Sequence, residues 1–306
     1  MKIAVEYLDR HGNLLNKNYY ISKIGLVKHM AIAGQRYAPS SHKILKTIGM
    51  FFQFAYYLRS NSLKNDKFSL PPNHLYDPTE KGQFSNIAGK AIADFLAKKI
   101  NNAIHTVNYE AAMKIKKMSI NGSRPDLLAF TNNSTFAIEA KGFSRSSVNN
   151  MNVHKNQSKT GGIPVNFTVA SVSYNLYNQV MCKYYDPYND DIPFDEELFR
   201  ESTKKYYSGF IDFLEFGNYK EVKHKNEEFY EVDLLSPYLM DIHQNIFFRH
   251  FMYDVFHYQP KIILPKNIEK YAKEGLNTNI EPFLYDGDKQ IYIDNDRIGL
   301  KLIDDV

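Results

Sequence analysis

Residues 124–145 read RPDLLAFTNNSTFAIEAKGFSR, and the alternation inside them decides the fold. Two apolar runs, 127–130 and 136–140, flank the polar turn Thr131-Asn132-Asn133-Ser134, which is the pattern of a β-hairpin. Three charges interrupt the strands: Asp126, Glu139 and Lys141. Side chains two apart in a strand share a face, so Glu139 and Lys141 point together while Phe136, Ile138 and Ala140 point into a core. Pairing of the hairpin then brings Asp126, at the outer end of the first strand, beside Glu139 and Lys141. The expected product is two carboxylates and an ammonium at one end of a buried sheet.

Neighbouring carboxylates repel, so one must take a proton or both must share a cation. A hard ion such as Mg²⁺ prefers oxygen ligands, takes one or two carboxylates and leaves positions for water and phosphate. A lysine beside it can offset charge developing on a phosphoryl group or help deprotonate a water. The chemistry expected is metal-assisted phosphodiester hydrolysis. The plain alternative is a surface hairpin with a cross-strand ion pair, worth under ~1 kcal/mol. It leaves acids inside apolar strands unexplained. A second Glu-x-Lys, Glu221-Val222-Lys223, lies in a polar run and reads as a solvated face.

Pro125-Asp126 followed by Glu139-Ala140-Lys141 resembles the PD-(D/E)XK nuclease superfamily, over roughly residues 79–177. The resemblance implies an α/β fold with a restriction-endonuclease-like core, a mixed sheet flanked by helices, and N-terminal and C-terminal α+β extensions. It implies Asp126, Glu139 and the main-chain carbonyl of Ala140 as ligands of Mg²⁺, for which Mn²⁺ substitutes, and Lys141 as the catalytic lysine. It also implies a DNA endonuclease, with restriction or anti-phage defence as the expected setting. A homodimer, or a partner ATPase, helicase or methyltransferase subunit, would fit that setting. RNA or branched DNA as substrate stays open, as does a non-catalytic nucleic-acid-binding or assembly subunit on the same scaffold.

The helix upstream of such a site often supplies a further acid in this family. Here Gln83, Ser85 and Asn86 occupy its first turns, and Asp94, between Lys90 and Lys98, is expected on the solvated side. Glu110, in a strand expected over 105–113, is the better accessory acid. Downstream, a helix expected over 145–159 offers Gln157 and Lys159 as groups facing the site. His154 lies on the same helix; the ten histidines are scattered without ligand spacing, so a surface position is expected for it. Lys114, Lys116, Lys117, Arg124 and Arg145 crowd the hairpin and suit contacts to a phosphate backbone.

The remaining sequence sets bounds. A chain of 306 residues suggests one to three domains, expected at 1–75, 76–190 and 191–306. The net charge of +4 permits a polyanionic partner without demanding one. A single cysteine, Cys182, excludes an intramolecular disulfide and a Cys-rich zinc site, and a cytoplasmic location is expected. No apolar run is long enough to span a bilayer, so no membrane partner is expected. Tyrosine and phenylalanine are abundant, but a codon bias that also enriches Asn, Ile and Lys accounts for them more simply than base stacking. Gly161-Gly162 has no P-loop around it.

Taken in order, residues 2–22 read as a hairpin, 24–33 and 42–59 as helices, and 61–80 as a proline-marked linker or long connecting loop. Lys43 and Lys46 lie off the apolar stripe of the second helix. Strands are expected at 166–176 and 180–185, helices at 82–100, 196–216 and 243–257, and a small meander at 282–303. Asp294-Asn295-Asp296 reads as a tight turn of that meander, lacking the glycine and distal glutamate of a calcium loop.

Overall fold

Two mixed layers of strand and helix emerge from these patterns in a computed structural model. It describes residues 1–9, 11–34, 53–75, 77–148, 150–186, 192–216, 218–234, 260–276, 280–287 and 290–302. The strands of the first sheet are β1 (Lys2–Leu8), β2 (Leu14–Tyr20), β3 (His105–Asn108), β4 (Leu127–Phe130), β5 (Thr135–Gly142), β6 (Phe167–Tyr174) and β7 (Met181–Tyr185). Their order is β2-β1-β7-β6-β5-β4-β3. β3, β4 and β5 form an antiparallel meander, β5 and β6 run parallel across a helical crossover, and β1 runs parallel to β7. The result is a mixed sheet flanked by helices. Its first two strands precede residue 75, so the sheet itself crosses the expected first domain boundary. A parallel pairing between β1 and β7, more than 170 residues apart in register, leaves no local signature.

The helices are α1 (Lys23–Ile32), α2 (Ser60–Lys64), α3 (Pro78–Ile100), α4 (Tyr109–Ile115), α5 (Met151–Ser158), α6 (Glu196–Phe216) and α7 (Ile268–Glu274). The linker or long connecting loop expected over 61–80 carries α2 and packs on the main core. Leu63 and Phe68 are buried in the main core, and the Phe68 N–H donates to the Leu176 carbonyl at 2.9 Å. Pro78 opens α3 rather than breaking it: Asp77 caps the helix by accepting from the Thr79 N–H at 2.7 Å. A proline costs nothing at the first helical position, where its missing N–H would be unpaired anyway. The helices expected at 42–59 and 243–257, with Lys43 and Lys46, lie wholly or mostly outside the described residues.

A second, six-stranded antiparallel sheet is built from β8 (Tyr219–His224), β9 (Glu227–Asp233), β10 (Lys261–Pro265), β11 (Tyr285–Gly287), β12 (Ile291–Ile293) and β13 (Gly299–Lys301), in the order β11-β12-β13-β10-β9-β8. The expected meander is its β11-β12-β13 part. Glu221-Val222-Lys223 lies on the edge strand β8, with Glu221 paired to Lys266 at the surface. One face of the first sheet packs on α1 and α3 through Phe136, Ile138 and Ala140. Its other face, through Leu128, Phe130 and Ala137, packs on α6 residues Tyr207 and Phe210 and on Val232 and Ile262 of the second sheet.

The turn at Asp294–Asp296 does more than reverse the chain. It inserts between α1 and α3, where Lys28 Nζ lies 2.5 Å from Asp294 Oδ1 and 2.8 Å from Asp296 Oδ1. Lys98 Nζ lies 3.0 and 2.6 Å from the same two carboxylates. Tyr206 of α6 donates to Asp296 at 2.8 Å. Asp94, expected in solvent, is 1% exposed: it receives the Thr106 hydroxyl at 2.7 Å and lies 2.6 Å from His29 Nδ1. Burial pushes its carboxyl upward, but Lys98, His29 and Thr106 outweigh burial and hold it below the usual carboxylate range. Two elements far apart in sequence thus share one desolvated ionic cluster.

Removing one partner of such a cluster strands a charge in the interior, at a cost of about 3–5 kcal/mol. Lys98→Met is therefore expected to lower the free energy of urea unfolding by that order. Lys266→Met, whose ion pairs with Glu221 and Glu228 lie at the surface, should leave the midpoint nearly unmoved.

Candidate active site

Asp126, Glu139 and Lys141 are brought together as the hairpin pattern predicts. Leu127 pairs with Ile138 at the end of the ladder, which leaves Asp126 just beyond it on the side of Glu139. The Asp126 N–H donates to the Ile138 carbonyl at 3.0 Å, and Asp126 Oδ2 accepts from the Ala140 N–H at 3.2 Å. A strand residue that exchanges hydrogen bonds turns its N–H and its C=O to the same edge. The Ala140 carbonyl is accordingly directed to the edge where Asp126 sits. Glu139 is fully buried, and Lys141 Nζ lies 2.5 Å from its Oε1 and 3.4 Å from Asp126 Oδ2.

The upstream helix brings a lysine in place of an acid. Lys90 Nζ on α3 lies 2.9 Å from Asp126 Oδ1. It gets there because α3 lies directly on the end of β5 through two glycines. A Cβ on Gly89 would stand 2.5 Å from the Gly142 nitrogen, and one on Gly142 would stand 1.8 Å from the Ser85 carbonyl oxygen. Side chains at either position would force the helix off the strand.

Burial first, and the charge of Asp126 second, push the Glu139 carboxyl up to about 7. Burial pulls Lys141 the other way, but contact with Glu139 and the charge of Asp126 outweigh it and hold the ammonium above its ordinary range. Neither Glu139 oxygen accepts a well-directed hydrogen bond among the described residues. Its nearest charged partner is the Lys141 ammonium, and with Asp126 and the Ala140 carbonyl it forms an all-oxygen donor set that suits Mg²⁺. Among the described residues no group of three or more His, Cys, Asp or Glu side chains could hold a metal, so the main-chain oxygen is needed to complete a third position.

The other expected site residues part company. Residues 109–115 form α4 rather than a continued strand, because Asn108 caps a helix by accepting from the Ala111 N–H at 3.2 Å. Glu110, in its first turn, is ion-paired with Arg124. Lys116 is held by Asp195 at 2.6 Å, while Lys114 and Lys117 are exposed. The Arg145 guanidinium lies over the Phe143 ring, 4.2 Å from its centroid. The expected helix starts late, at Met151 behind the cap Asn150, which leaves Arg145 in the preceding loop. Gln157 is half-buried on that helix, and Lys159 lines a cleft of about 250 Å³ with Tyr109 and Ala137, whose lining contains neither acid.

His154 on α5 is half-buried and close enough to Lys141 to feel its charge. Its ring lies 5.9 Å from that of Phe143, and its buried Nδ1 has no hydrogen-bond partner among the described residues. Burial, then the charges of Lys141 and Arg145, push its imidazole below the ordinary range. No signal in the sequence marked it: His154 shares a helix face with Ser158 at i, i+4, and only the fold shows that Ser158 is buried. No protein-family model, no curated protein and no solved structure matches this chain.

The Glu139 shift carries a sign. With its carboxyl pushed up from 4.5, the folded state holds more protons than the unfolded state between about pH 4.5 and 7. Stability should therefore fall as pH rises through that window, and Glu139→Gln should abolish that fall. Urea titrations of wild type and variant across the window measure it directly. For the packing contact, Gly142→Ala should lower the melting temperature and break the Lys90–Asp126 pair, read as a change in the Lys90 NMR signal.

Proposed function

We propose that this chain is a metal-dependent nuclease that hydrolyses phosphodiester bonds in DNA, on a restriction-endonuclease-like core. The observation that carries the reading is the fully buried Glu139 gathered with Asp126 at one end of the sheet, with Lys141 in contact with both. The order of elements supports it. Helix α3, the strands β3 to β5 with α4 inserted between β3 and β4, the crossover helix α5 and the parallel strand β6 follow one another. The upstream helix and the strand–helix–strand crossover in it are what the PD-(D/E)XK resemblance implies within residues 79–177.

Asp126, Glu139 and the Ala140 carbonyl would hold the ion. When bound, Mg²⁺ supplies Lewis-acid stabilisation of phosphate oxygens and an acidified water. The chain's own residues do the rest. Lys141 is placed to neutralise charge that builds on the phosphoryl oxygens, which is the role in which a preorganised ammonium contributes most. Lys90 offsets Asp126 and keeps the carboxylate pair from repelling while the site is assembled. His154, kept neutral by burial and by two neighbouring cations, can accept a proton near the site. Restriction or anti-phage defence is the setting this chemistry serves in the reading; RNA and branched DNA present the same phosphodiester.

One observation favours a second reading, a non-catalytic nucleic-acid-binding or assembly subunit. Lys90 and Lys141 already neutralise the two acids, so the site could stand as a closed ionic group. The two readings part on metal and on cleavage. The nuclease reading expects Mg²⁺ or Mn²⁺ to raise the melting temperature of wild type and to leave Glu139→Ala unmoved. It also expects Mg²⁺-dependent cleavage of plasmid or linear DNA that falls at least 100-fold in Asp126→Ala, an order typical of losing a group that acts electrostatically at the reaction. Metal-independent melting, with wild type and Asp126→Ala equally inert on DNA and RNA, selects the binding subunit.

A further inference from the structure

We infer that a second basic cleft, built from the segment around α2, binds the phosphate backbone of the nucleic acid that enters the candidate site; the inference rests on the nuclease reading. The cleft has a volume of about 710 Å³ and is lined by Lys23, Arg59, Lys64 and Lys67, with Tyr177 at one wall. Its described lining contains four cations, three serines and no carboxylate. The acid nearest in sequence, Asp66, is turned away: it accepts from the Lys2 N–H at 2.7 Å and pairs with Lys2 Nζ at 3.3 Å. Placing the chain's acid outside and its cations inside makes a field that selects for an anion. An extended cleft of this size fits a run of phosphates better than a single one.

The cleft is joined to the candidate site by α3. The Tyr177 hydroxyl lies 3.1 Å from Ser85 Oγ, and Lys81 Nζ lies 5.0 Å from the centroid of the Tyr177 ring. Ser85 is the residue whose carbonyl lies against Gly142, and Gly89, one turn on, lies against Lys141. Four residues of helix span about 6 Å. In this proposal a strand held at Asp126 and Glu139 continues past Tyr177 to Lys64 and Lys67. The sequence places neither lysine in the basic patch around the hairpin.

The test separates this cleft from the nuclease reading by measuring binding without cleavage. Fluorescence anisotropy of a labelled DNA duplex in chelator would compare wild type, Lys64→Gln/Lys67→Gln, and the charge-matched Lys270→Gln/Lys273→Gln on α7. Each lost phosphate contact reduces the slope of log affinity against log salt by about 0.9. The cleft variant should thus lose about 1.8 in slope and roughly tenfold in affinity at low salt, while the α7 variant follows wild type. Equal behaviour of the two variants overturns the cleft. Lysine acylation read by mass spectrometry on wild type needs no variant to fold: duplex should protect Lys64 and Lys67, and unchanged labelling overturns the inference. Protection by anionic phospholipid vesicles but not by duplex overturns it too. Cleft-dependent binding by a wild type that cuts nothing would sink the nuclease reading and leave the cleft standing.

Discussion

Lys28 and Lys98 carry the constraint on which the rest of this molecule depends. Both ammonium groups are almost wholly removed from water, a state that an isolated lysine relieves by losing its proton. Here Asp294 and Asp296 meet both, and burial's pull on Lys98 is outweighed so that it stays charged well above its ordinary range. The arrangement is expensive to assemble and more expensive to break, because either half alone is a naked buried charge. It can be satisfied only when the β12–β13 turn sits between α1 and α3. Hydrophobic packing alone tolerates sliding; a buried ion pair with 2.5–3.0 Å contacts does not. The second sheet is thereby docked in one register, and α3 is fixed along its own axis.

Fixing α3 fixes the candidate site. Lys98 and Lys90 lie eight residues apart on that helix, about 12 Å along its axis. A slide of α3 by one turn would take Lys90 away from Asp126 and would drive a neighbour of Gly89 into β5. The C-terminal strands therefore act on the carboxylate pair without touching it. Their contribution is to hold a strut whose far end is held by two glycines against Lys141 and Gly142.

What the sequence disclosed, and what it concealed, follow from the range of each interaction. Asp126, Glu139 and Lys141 were legible because a two-residue period and a four-residue turn are local, and charge inside an apolar strand is conspicuous. The helices at 196–216 and the strands at 2–8 and 14–20 were legible for the same reason. Lys90, Asp94 and Lys98 show the opposite. Spaced i, i+4 and i+8 with alternating sign, they have the form of a solvated ladder. Yet Lys90 reaches the candidate site, and Asp94 and Lys98 lie in the interior, because their partners sit at His29, Thr106 and Asp294–Asp296. Glu110 failed as an accessory acid for a local reason, since Asn108 ends the strand and starts a helix whose first-turn glutamate meets Arg124. His154 was hidden because burial of one helix face depends on which side the crossover lays against the sheet.

Helix α3 can then be understood as two stripes with different duties. Lys81, Ser85 and Gly89 follow one another at four-residue intervals and lie against Tyr177 and the end of β5. Lys90, Asp94 and Lys98 follow at the same interval and run from the candidate site into the buried ionic cluster. The first stripe needs small residues, because the helix backbone must come within contact of a strand backbone; the second needs charge, because its partners are charged. Neither demand is met by the apolar stripe that makes the helix recognisable, which is spent on the core through Phe84, Ala88, Ala91, Ile92 and Phe95. A helix used on three sides must lie inside the molecule, and α3 is buried over most of its last three turns. That position, between a basic cleft, a pair of acids and a buried ionic lock, ties the stability of the fold to the geometry of the candidate site.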